Sequence, residues 1–322
     1  MIDAIAKELR DNKRFLLTTH VNPDGDAIGS LGALALVLEG LGKQVVAYCQ
    51  DEIPSFLRFL PYSERIVKEI PGPKRFDLAV VLDCGELDRI GNGAGVLQKV
   101  EKIIHIDHHS SSDDFGQLNL VRSECSSTAE ILYEIFQAIP ATLSLEAAEN
   151  IYTAILTDTG SFRFANTTAR ALIIAAEMVT LGVLPEKIAS QVYDSMSPER
   201  LRLLALSLNT LSLRSNGRLA SMLVSRQMLA ETNTTVMDTD GFVNYPRGIS
   251  TVEMAIFFRE MDSGKVNVSL RSRGRLNVAE FAHNHYGGGH HNAAAFRAEG
   301  SLNKVVQEVL AAAEEFIAGG PQ

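Results

Sequence analysis

Apolar runs that end in acidic or histidine residues recur along the first half of the chain. In one of them, residues 102 to 106 are rich in isoleucine, which is typical of a strand buried in a sheet. Asp107, His108 and His109 follow at the point where that strand would leave the sheet. Functional sites of open α/β sheets form at such strand ends. Because an isolated pair of histidines is more often part of an ordinary polar loop, the interpretation depends on recurrence of the pattern.

A second example follows a predicted strand over residues 14 to 19. His20, Asp24 and Asp26 lie in the turn between that strand and a predicted apolar helix over residues 27 to 42. An Asn-Pro-Asp-Gly turn on its own is common loop chemistry. A histidine four residues before one aspartate and six before another, at a strand end, matches metal ligation better.

Two further element ends each carry one aspartate. An apolar strand within residues 77 to 85 ends at Asp83, whose carboxylate would be costly to bury unless it were paired or bound to a cation. A helical pattern over residues 144 to 162 breaks at Asp158. We therefore expect both side chains to join the group formed at the other element ends.

The order of the elements predicts an α/β protein with two domains. Strands and helices alternate over residues 1 to 188, which indicates a mostly parallel sheet flanked by helices. Residues 189 to 214 read as a helical connector, and residues 215 to 322 predict a smaller α+β domain. Within it, the polar stretch from 231 to 248 predicts a flexible loop.

Composition and charge narrow the class of function. With 30 Lys and Arg against 39 Asp and Glu, the net charge is −9, which opposes binding to a long polyanion, so a nucleic-acid substrate is expected to be short. Cys49, Cys84 and Cys125 are too scattered for a zinc knuckle or a disulfide framework. The most apolar run, residues 30 to 42, is shorter than the roughly 20 residues of a membrane span. We expect a cytoplasmic protein that does not enter the membrane.

The residues collected at the element ends predict a metal centre. Carboxylates gathered in one cleft repel and raise one another's pKa unless cations neutralise them. Mixed imidazole and carboxylate ligands suit Mn²⁺, Mg²⁺, Fe²⁺ or Zn²⁺, and the lack of thiolates disfavours a purely structural zinc site. Enough ligands exist for two ions that share one carboxylate, an arrangement that serves phosphoester hydrolysis. The collected residues are His20, Asp24, Asp26, Asp83, Asp107, His108, His109 and Asp158.

A glycine-rich segment in the second predicted domain has the composition of an anion site. Three consecutive glycines before His290 would let backbone N–H groups approach an anion, and Arg271, Ser272 and His290 would add side-chain donors. A glycine-rich turn beside an ordinary strand is the plainer alternative. The segment alone would favour that alternative.

Taken together, these segments resemble a known family. Four of them resemble the four motifs of the DHH phosphoesterase superfamily: HVNPDGDAIGS, VLDCG, IDHHSS and TDTGSF. Two later ones, SLRS and YGGGHHNAAAF, resemble its DHH-associated C-terminal domain. The layout is most similar to the NrnA-like group, compact two-domain enzymes that degrade very short RNA and, in many members, remove the 3′-phosphate of 3′-phosphoadenosine 5′-phosphate.

The resemblance implies a role for each residue of the metal centre. One ion would be bound by His20, Asp24 and Asp83, with Asp83 shared by a second ion. Asp107 would orient a ligand imidazole and fix its tautomer. His109 would face the scissile phosphate as a cationic stabiliser or a proton donor. The second ion would be bound by Asp26, Asp83, His108 and Asp158.

In the second domain, the resemblance implies a site for the end of the nucleotide that lies away from the metals. One residue departs from the family pattern, because Ala295 stands where the family usually has glycine, and we expect its Cβ to shift the backbone near the phosphate site. The implied substrate-binding residues are Arg271, Ser272, Gly288, Gly289 and His290.

These expectations converge on a phosphodiesterase with two divalent cations, Mn²⁺ first, with Mg²⁺, Co²⁺ or Fe²⁺ as alternatives. It would hydrolyse short single-stranded RNA (nanoRNA) or dinucleotides to nucleoside 5′-monophosphates and also convert 3′-phosphoadenosine 5′-phosphate to AMP. One alternative is a phosphodiesterase dedicated to cyclic or linear dinucleotides. A different class, a non-catalytic nucleotide sensor, is kept as a second alternative. A homodimer is implied by the resemblance alone.

Overall fold

The computed structural model describes residues 1–70, 75–97, 100–110, 112–194, 196–261 and 264–319. The chain divides into two compact units, Met1–Ser195 and Met196–Gln322, each built around its own sheet and hydrophobic core. The fold class predicted from the order of the elements is confirmed: a parallel α/β sheet comes first and a mixed α+β unit follows.

The first unit contains a five-stranded sheet in the order β2-β1-β3-β4-β5, with every neighbouring pair parallel. Because β2 lies on one side of β1 and β3 on the other, the strand order reverses at β1. Ligands of open α/β sheets bind in the crevice at such a reversal, outside the carboxyl ends of the strands. The strands are β1 Arg14–Thr18, β2 Gln44–Tyr48, β3 Leu78–Leu82, β4 Ile103–Asp107 and β5 Leu118–Val121.

Helices cover this sheet, and most of them pack on one face to form the main core of the unit. The first helix is amphipathic and buries Ile5, Ala6 and Leu9, as its sequence pattern indicates. The second is apolar on nearly all sides and is buried along most of its length. The helices are α1 Ile2–Asp11, α2 Gly25–Gly40, α3 Ala94–Leu97, α4 Thr128–Gln137, α5 Leu145–Asp158, α6 Ala169–Thr180 and α7 Pro185–Tyr193.

Glycines allow α2 and α5 to pack in close contact. A Cβ at Gly25 would lie 2.2 Å from Thr157 Oγ1, and a Cβ at Gly29 would lie 2.6 Å from the carbonyl oxygen of Asn150. The start of α2 therefore lies against the end of α5. This packing brings the acidic residues at those two helix ends to the same edge of the sheet.

The second unit contains a six-stranded sheet in the order β10-β11-β9-β8-β7-β6. The pair β7–β8 is parallel and the other pairs are antiparallel. The last helix packs against one face of the sheet through an apolar stripe that includes Val305, Val309 and Ile317. The strands are β6 Ser212–Arg214, β7 Leu219–Val224, β8 Met254–Glu260, β9 Lys265–Ser272, β10 Gly288–His290 and β11 Ala293–Glu299, and the helices are α8 Pro198–Leu208, α9 Arg226–Thr232, α10 Asn244–Arg247, α11 Val278–His283 and α12 Leu302–Gly319.

The stretch from 231 to 248 differs from its prediction. It forms a short 3₁₀ turn, Val236–Thr239, and the helix α10, so the prediction of a loop is wrong there. Phe242 and Val243 are buried and join α8 in a core on the sheet face opposite α12. Burial of a large side chain stabilises by about 1.5–3 kcal/mol, so these two residues favour packing of the segment onto the sheet. Arg200 adds hydrogen bonds to the carbonyl oxygens of Asp238 and Asp240.

No helix within the described ranges is both long enough and apolar enough to cross a bilayer.

Candidate metal centre

The predicted ligands of the first unit meet at the carboxyl edge of the parallel sheet. His20 follows β1, Asp83 follows β3 directly, and Asp107 is the last residue of β4. The start of α2 and the end of α5 add Asp26 and Asp158. Carboxyl ends of neighbouring parallel strands lie at one edge, so residues that are far apart in sequence become neighbours here.

Asp83 occupies the centre of this group. It is 1% exposed, and its carboxylate lies 3.5 Å from His20 Nε2, 3.5 Å from His108 Nε2 and 3.6 Å from His109 Nδ1. Its φ of +53° is in the left-handed region, which a non-glycine residue adopts at a cost of about 1–3 kcal/mol. The fold therefore stabilises a strained backbone that aims this carboxylate at three imidazoles.

His108 lies among three carboxylates. Its Nε2 is 3.7 Å from Asp26, 3.5 Å from Asp83 and 3.7 Å from Asp158. These separations are too long for hydrogen bonds, so the His108 ring faces the three carboxylates at non-bonded distances. The four side chains are the ones implied for one of the two ions.

Side chains that could hold a metal fall into two groups that share Asp83. In one, ligand atoms of His20, Asp24 and Asp83 lie within 4.8 Å of one another; in the other, the same holds for Asp83, His108 and His109. The first group coincides with the set that the family resemblance implies. In the second, His109 stands where Asp26 and Asp158 were implied, but its Nδ1 is already bonded to Asp107 at 2.7 Å. The implied carboxylates of Asp26 and Asp158 lie around His108 but are not part of this group.

The carboxylates of the centre titrate unequally. Burial raises the pKa of Asp26 to about 7, and the neighbouring charge of Asp83 adds to this. Burial, together with Asp26, also raises the pKa of Asp158. For Asp83, burial acts to raise the pKa, but His20 and the other imidazoles outweigh it and hold the pKa well below its ordinary value. The site therefore carries more carboxylates than its own imidazoles can neutralise, which fits a cation.

The imidazoles shift in the opposite sense. Burial acts to lower the pKa of His20, His108 and His109, but the surrounding aspartates outweigh it, so all three values are raised. Each imidazole thus favours its charged form while no cation is bound. A divalent cation and these protons would compete for the same carboxylates.

Backbone donors hold Asp26 and Asp24 in place. Asp26 accepts hydrogen bonds from Thr128 N at 2.6 Å and Ala129 N at 3.1 Å, at the start of α4. Asp24 caps α2 by accepting from Asp26 N and Ala27 N. Two helix N-termini thus fix these carboxylates, since exposed N–H groups at a helix start favour negative charge.

Asp107 supports the group without belonging to it. It is fully buried and accepts from the backbone N of His108 at 2.8 Å, from His109 Nδ1 at 2.7 Å and from the hydroxyl of Ser112. Burial acts to raise its pKa, but the neighbouring imidazoles of His105 and His109 and the hydroxyl of Ser112 hold the pKa well below the ordinary value. The expectation was that Asp107 orients a ligand imidazole, whereas the ring bonded to it is that of His109.

Four polar residues that sequence reasoning missed also contact the centre. Thr128 Oγ1 donates to Asp83 at 3.2 Å, and Asn166 Nδ2 donates to Asp158 at 3.3 Å. Ser112 bonds Asp107, and His105 lies buried beneath the triplet formed by Asp107, His108 and His109. The position of Thr128 at the start of a helix was a local signal in the sequence. The contacts of the other three residues depend on tertiary packing, which a local sequence pattern does not predict.

In the second unit, Arg271 and Ser272 end β9. The guanidinium of Arg271 donates to Leu270 O at 2.9 Å, and burial lowers its pKa. Ser272 is 1% exposed; its hydroxyl donates to Leu276 O at 2.7 Å and accepts from Asn292 at 2.9 Å. Ser272 thus has internal partners that stabilise the turn after β9.

The glycine-rich segment forms β10, which pairs with β11. Gly288 pairs with Ala295, and a Cβ at Gly288 would meet open space. Gly289 has a φ of +142°, and a Cβ there would lie 2.5 Å from the carbonyl oxygen of Ala293. Only glycine fits that position. The side chain of His290 lies outside the described part of the structure, although its backbone pairs with Ala293.

Ala295 does not interrupt this arrangement. It is exposed, and it pairs in regular register with Gly288 on one side and Ser269 on the other. The exposed surface beside β10 is therefore lined by small side chains.

The fold and the shared-carboxylate site define the class as a phosphoesterase of the DHH type. Residues 14–157 match the DHH family, N-terminal domain, and residues 219–319 match the DHHA1 domain. The chain belongs to the DHH family, as its motifs predicted.

Individual relatives agree with this assignment over nearly the whole chain. The bifunctional oligoribonuclease and PAP phosphatase NrnA of Thermus thermophilus is 36% identical over 305 residues, which cover 93% of this chain and 89% of the relative. The protein of the same name from Bacillus subtilis is 29% identical, covering 85% and 86%. The crystal structure of an exopolyphosphatase-related protein from Bacteroides fragilis superposes with a TM-score of 0.91 at 30% identity, covering 98% and 95%.

Proposed function

We propose that this protein is a two-metal phosphodiesterase that hydrolyses short oligoribonucleotides to nucleoside 5′-monophosphates and also converts 3′-phosphoadenosine 5′-phosphate to AMP. The observation that carries the proposal is the buried Asp83, shared by two groups of carboxylate and imidazole ligands at the switch point of a parallel sheet. The names of the two relatives support both activities.

The donor set suits hard or borderline divalent ions, with Mn²⁺ as the proposed physiological ion. His20, Asp24 and Asp83 would hold one ion; Asp26, Asp83, His108 and Asp158 would hold the other. When bound, such ions activate water for attack on phosphorus and stabilise charge on the phosphoryl group. All donors are nitrogen or oxygen, the ligand type preferred by Mn²⁺ and Mg²⁺ over soft metals.

His109 is the proposed proton donor. Water attacks phosphorus, the bond from phosphorus to the 3′-oxygen breaks, and the leaving oxygen takes a proton. Asp107 accepts from His109 Nδ1 at 2.7 Å, which fixes the ring and favours its charged form. The imidazolium can therefore stabilise charge on the phosphoryl oxygens or protonate the leaving group.

The second unit would bind the part of the nucleotide away from the reacting phosphate. Arg271 would contact a phosphate, and the open surface at Gly288 would admit a backbone or base. Ser272 would act by holding the turn after β9, because its hydroxyl already has protein partners. Gly289 and His290 complete the proposed surface.

Charge supports a short substrate. The first unit carries 27 acidic and 17 basic residues, a net charge of −10. Affinity for long single strands rests on many lysine and arginine contacts to phosphates, and this unit opposes such contacts. Selectivity for two to a few nucleotides follows.

Compartment and self-association are proposals as well. Cys49, Cys84 and Cys125 are all free and buried, which suits a reducing cytoplasm.

A homodimer could use α6, where Leu172 and Ile173 are 49% and 50% exposed. Sedimentation of the wild type and of Leu172→Glu tests this: a dimer should become a monomer, and a wild-type monomer would refute the proposal.

A time course on RNA oligomers of two to ten nucleotides, with the bisphosphate in parallel and Mn²⁺ present, tests the function. We expect complete conversion to 5′-monophosphates, with the shortest oligomers degraded fastest. Binding of the dinucleotide without product would favour a sensor. Equal rates on all lengths would contradict the role of the second unit in setting substrate length.

A further inference from the structure

One titratable side chain beneath the metal centre has no part in the chemistry above. His105 lies in the middle of β4, paired in register with Val81 of β3 and Asn119 of β5, and it is fully buried. Neighbouring strand positions are filled by isoleucine. A polar ring in such a position costs free energy unless its hydrogen bonds are made.

The contacts of His105 determine its tautomer. Nε2 lies 3.1 Å from the carbonyl oxygen of Cys84, which can only accept, so Nε2 carries the proton. Nδ1 is then an acceptor, and it is buried without a hydrogen-bond partner among the described residues. The ring stacks on Phe115 with centroids 4.1 Å apart. An apolar residue would avoid the unpaired Nδ1, so stability alone does not account for histidine here.

The bond to Cys84 falls at the turn that presents Asp83. Asp83 holds its left-handed backbone with φ +53°, and its N donates to Ile106 O at 3.0 Å. The carbonyl oxygen of the next residue, Cys84, accepts the hydrogen bond from His105. Two bonds from β4 therefore fix the backbone on either side of the strained residue. Without the second, the peptide between Cys84 and Gly85 could rotate, and the turn that holds Asp83 in its strained conformation would lose a constraint.

His105 also lies beside Asp107, the residue that orients His108 and His109. Its Nε2 is 3.8 Å from Asp107 Oδ2, too far for a hydrogen bond but close enough for electrostatic attraction. Asp107 in turn bonds the ring of His109 and the backbone of His108. One buried ring thus touches the turn of Asp83 and neighbours the carboxylate that orients the triplet.

We propose that His105 is a positioning residue, which holds the Cys84 carbonyl and thereby keeps Asp83 aimed at the metal centre. The inference rests on the proposed function in one respect, namely that Asp83 binds metal. It acts on metal affinity through geometry, and the side chain itself contacts neither metal nor substrate. Residues that orient ligands in this way typically change metal affinity by about 10- to 100-fold when mutated.

Three substitutions separate the hydrogen bond from the ring. In His105→Gln the amide nitrogen can reach the position of Nε2 and donate to Cys84, whereas the shorter amide of His105→Asn cannot. His105→Leu removes the bond and leaves an apolar, well-filled core, so it should fold even if the asparagine variant does not. Phe115→Leu is the matched control, since it removes the stacked ring and keeps the bond.

The measurement is calorimetric titration of Mn²⁺ into metal-free protein, with thermal unfolding in parallel. We expect the asparagine and leucine variants to lose about tenfold or more in Mn²⁺ affinity, and the glutamine variant to stay within about threefold of wild type. Phe115→Leu should lower the melting temperature and leave Mn²⁺ affinity unchanged.

Two results would overturn the inference. Unchanged Mn²⁺ affinity in His105→Leu, whatever its melting temperature, would make His105 a core residue only. Equal losses in the glutamine and leucine variants would show that the bond to Cys84 is not the cause. If the wild type bound no Mn²⁺ at all, the proposed function would fail first, so the two failures are distinguishable.

Discussion

The two units of this chain differ in their net charge and in how their charged residues are arranged. The first carries a net charge of −10 and concentrates aspartates in a buried cluster, whereas the second has 12 acidic and 13 basic residues and a net charge of +1. In the first, buried carboxylates accept hydrogen bonds from the start of a helix and lie beside imidazoles. In the second, the predicted surface consists of two glycines, one arginine, one serine and one histidine. The contrast agrees with the proposal that chemistry takes place at a preorganised charged site and recognition at an open surface.

The substitution with the largest expected effect removes the Asp83 carboxylate, which lies at the centre of the charged site in the first unit. Asp83→Ala should lower turnover on a dinucleotide by on the order of 10³-fold, because both ligand groups lose their common member. Asp77→Ala, just before the other end of β3, is the matched control and should keep turnover near wild type. Turnover of Asp83→Ala close to wild type at saturating Mn²⁺ would remove Asp83 from the mechanism.

A second prediction concerns pH and should be confined to the first unit. The pKa of Asp26 is raised to about 7, so between about pH 4 and 7 the folded, metal-free protein binds more protons than the unfolded chain. Its stability should therefore fall as pH rises through this window, by about 4 kcal/mol at about 1.4 kcal/mol per pKa unit. The raised pKa values of the three histidines act in the same direction.

Asp83 and Asp107 do not reverse that sign, since their lowered pKa values give a contribution that is complete above about pH 4. Denaturant unfolding of metal-free protein from pH 4 to 8 measures the slope, and Mn²⁺ should abolish it. A flat profile without metal would show that the cluster is not destabilised by its own charges.

Variants of His108 and His109 separate metal binding from the chemical step within the first unit. His108→Ala should weaken Mn²⁺ binding, because its Nε2 faces three carboxylates. His109→Ala should keep its metal and slow the chemical step by about 10²-fold. Metal content by elemental analysis and single-turnover rates separate the two effects. Equal metal loss in both variants would mean that the triplet is divided wrongly.

Much of this site could be predicted because its residues lie at the ends of regular elements. His20, Asp83 and Asp107 follow apolar strands, and parallel strands bring their carboxyl ends to one edge whatever the intervening sequence. The switch point at β1 then places the crevice. The local pattern of apolar residues was therefore sufficient for the location of the centre.

The supporting contacts could not be predicted in the same way. The bond from His109 to Asp107, the internal partners of Ser272 and the buried bond of His105 depend on ring and hydroxyl orientations set by tertiary packing. Periodicity reports which face is buried and says nothing about which donor meets which acceptor. The folded segment around Phe242 was missed for a related reason, since two apolar residues give no periodic signal.

The smallest expected effect tests how tolerant the second unit is. Ala295→Gly restores the residue usual in the family, yet Ala295 is exposed in a regular ladder opposite Gly288, so its Cβ does not displace the strand. We expect KM for a dinucleotide to change by less than about twofold, whereas Arg271→Ala should raise it about tenfold through loss of a charge-assisted phosphate contact. Steady-state kinetics at saturating Mn²⁺ compares the two. If Ala295→Gly changed KM as much as Arg271→Ala, the open surface would be selective at the level of a single methyl group, and recognition in this unit would be as finely preorganised as the chemistry in the other.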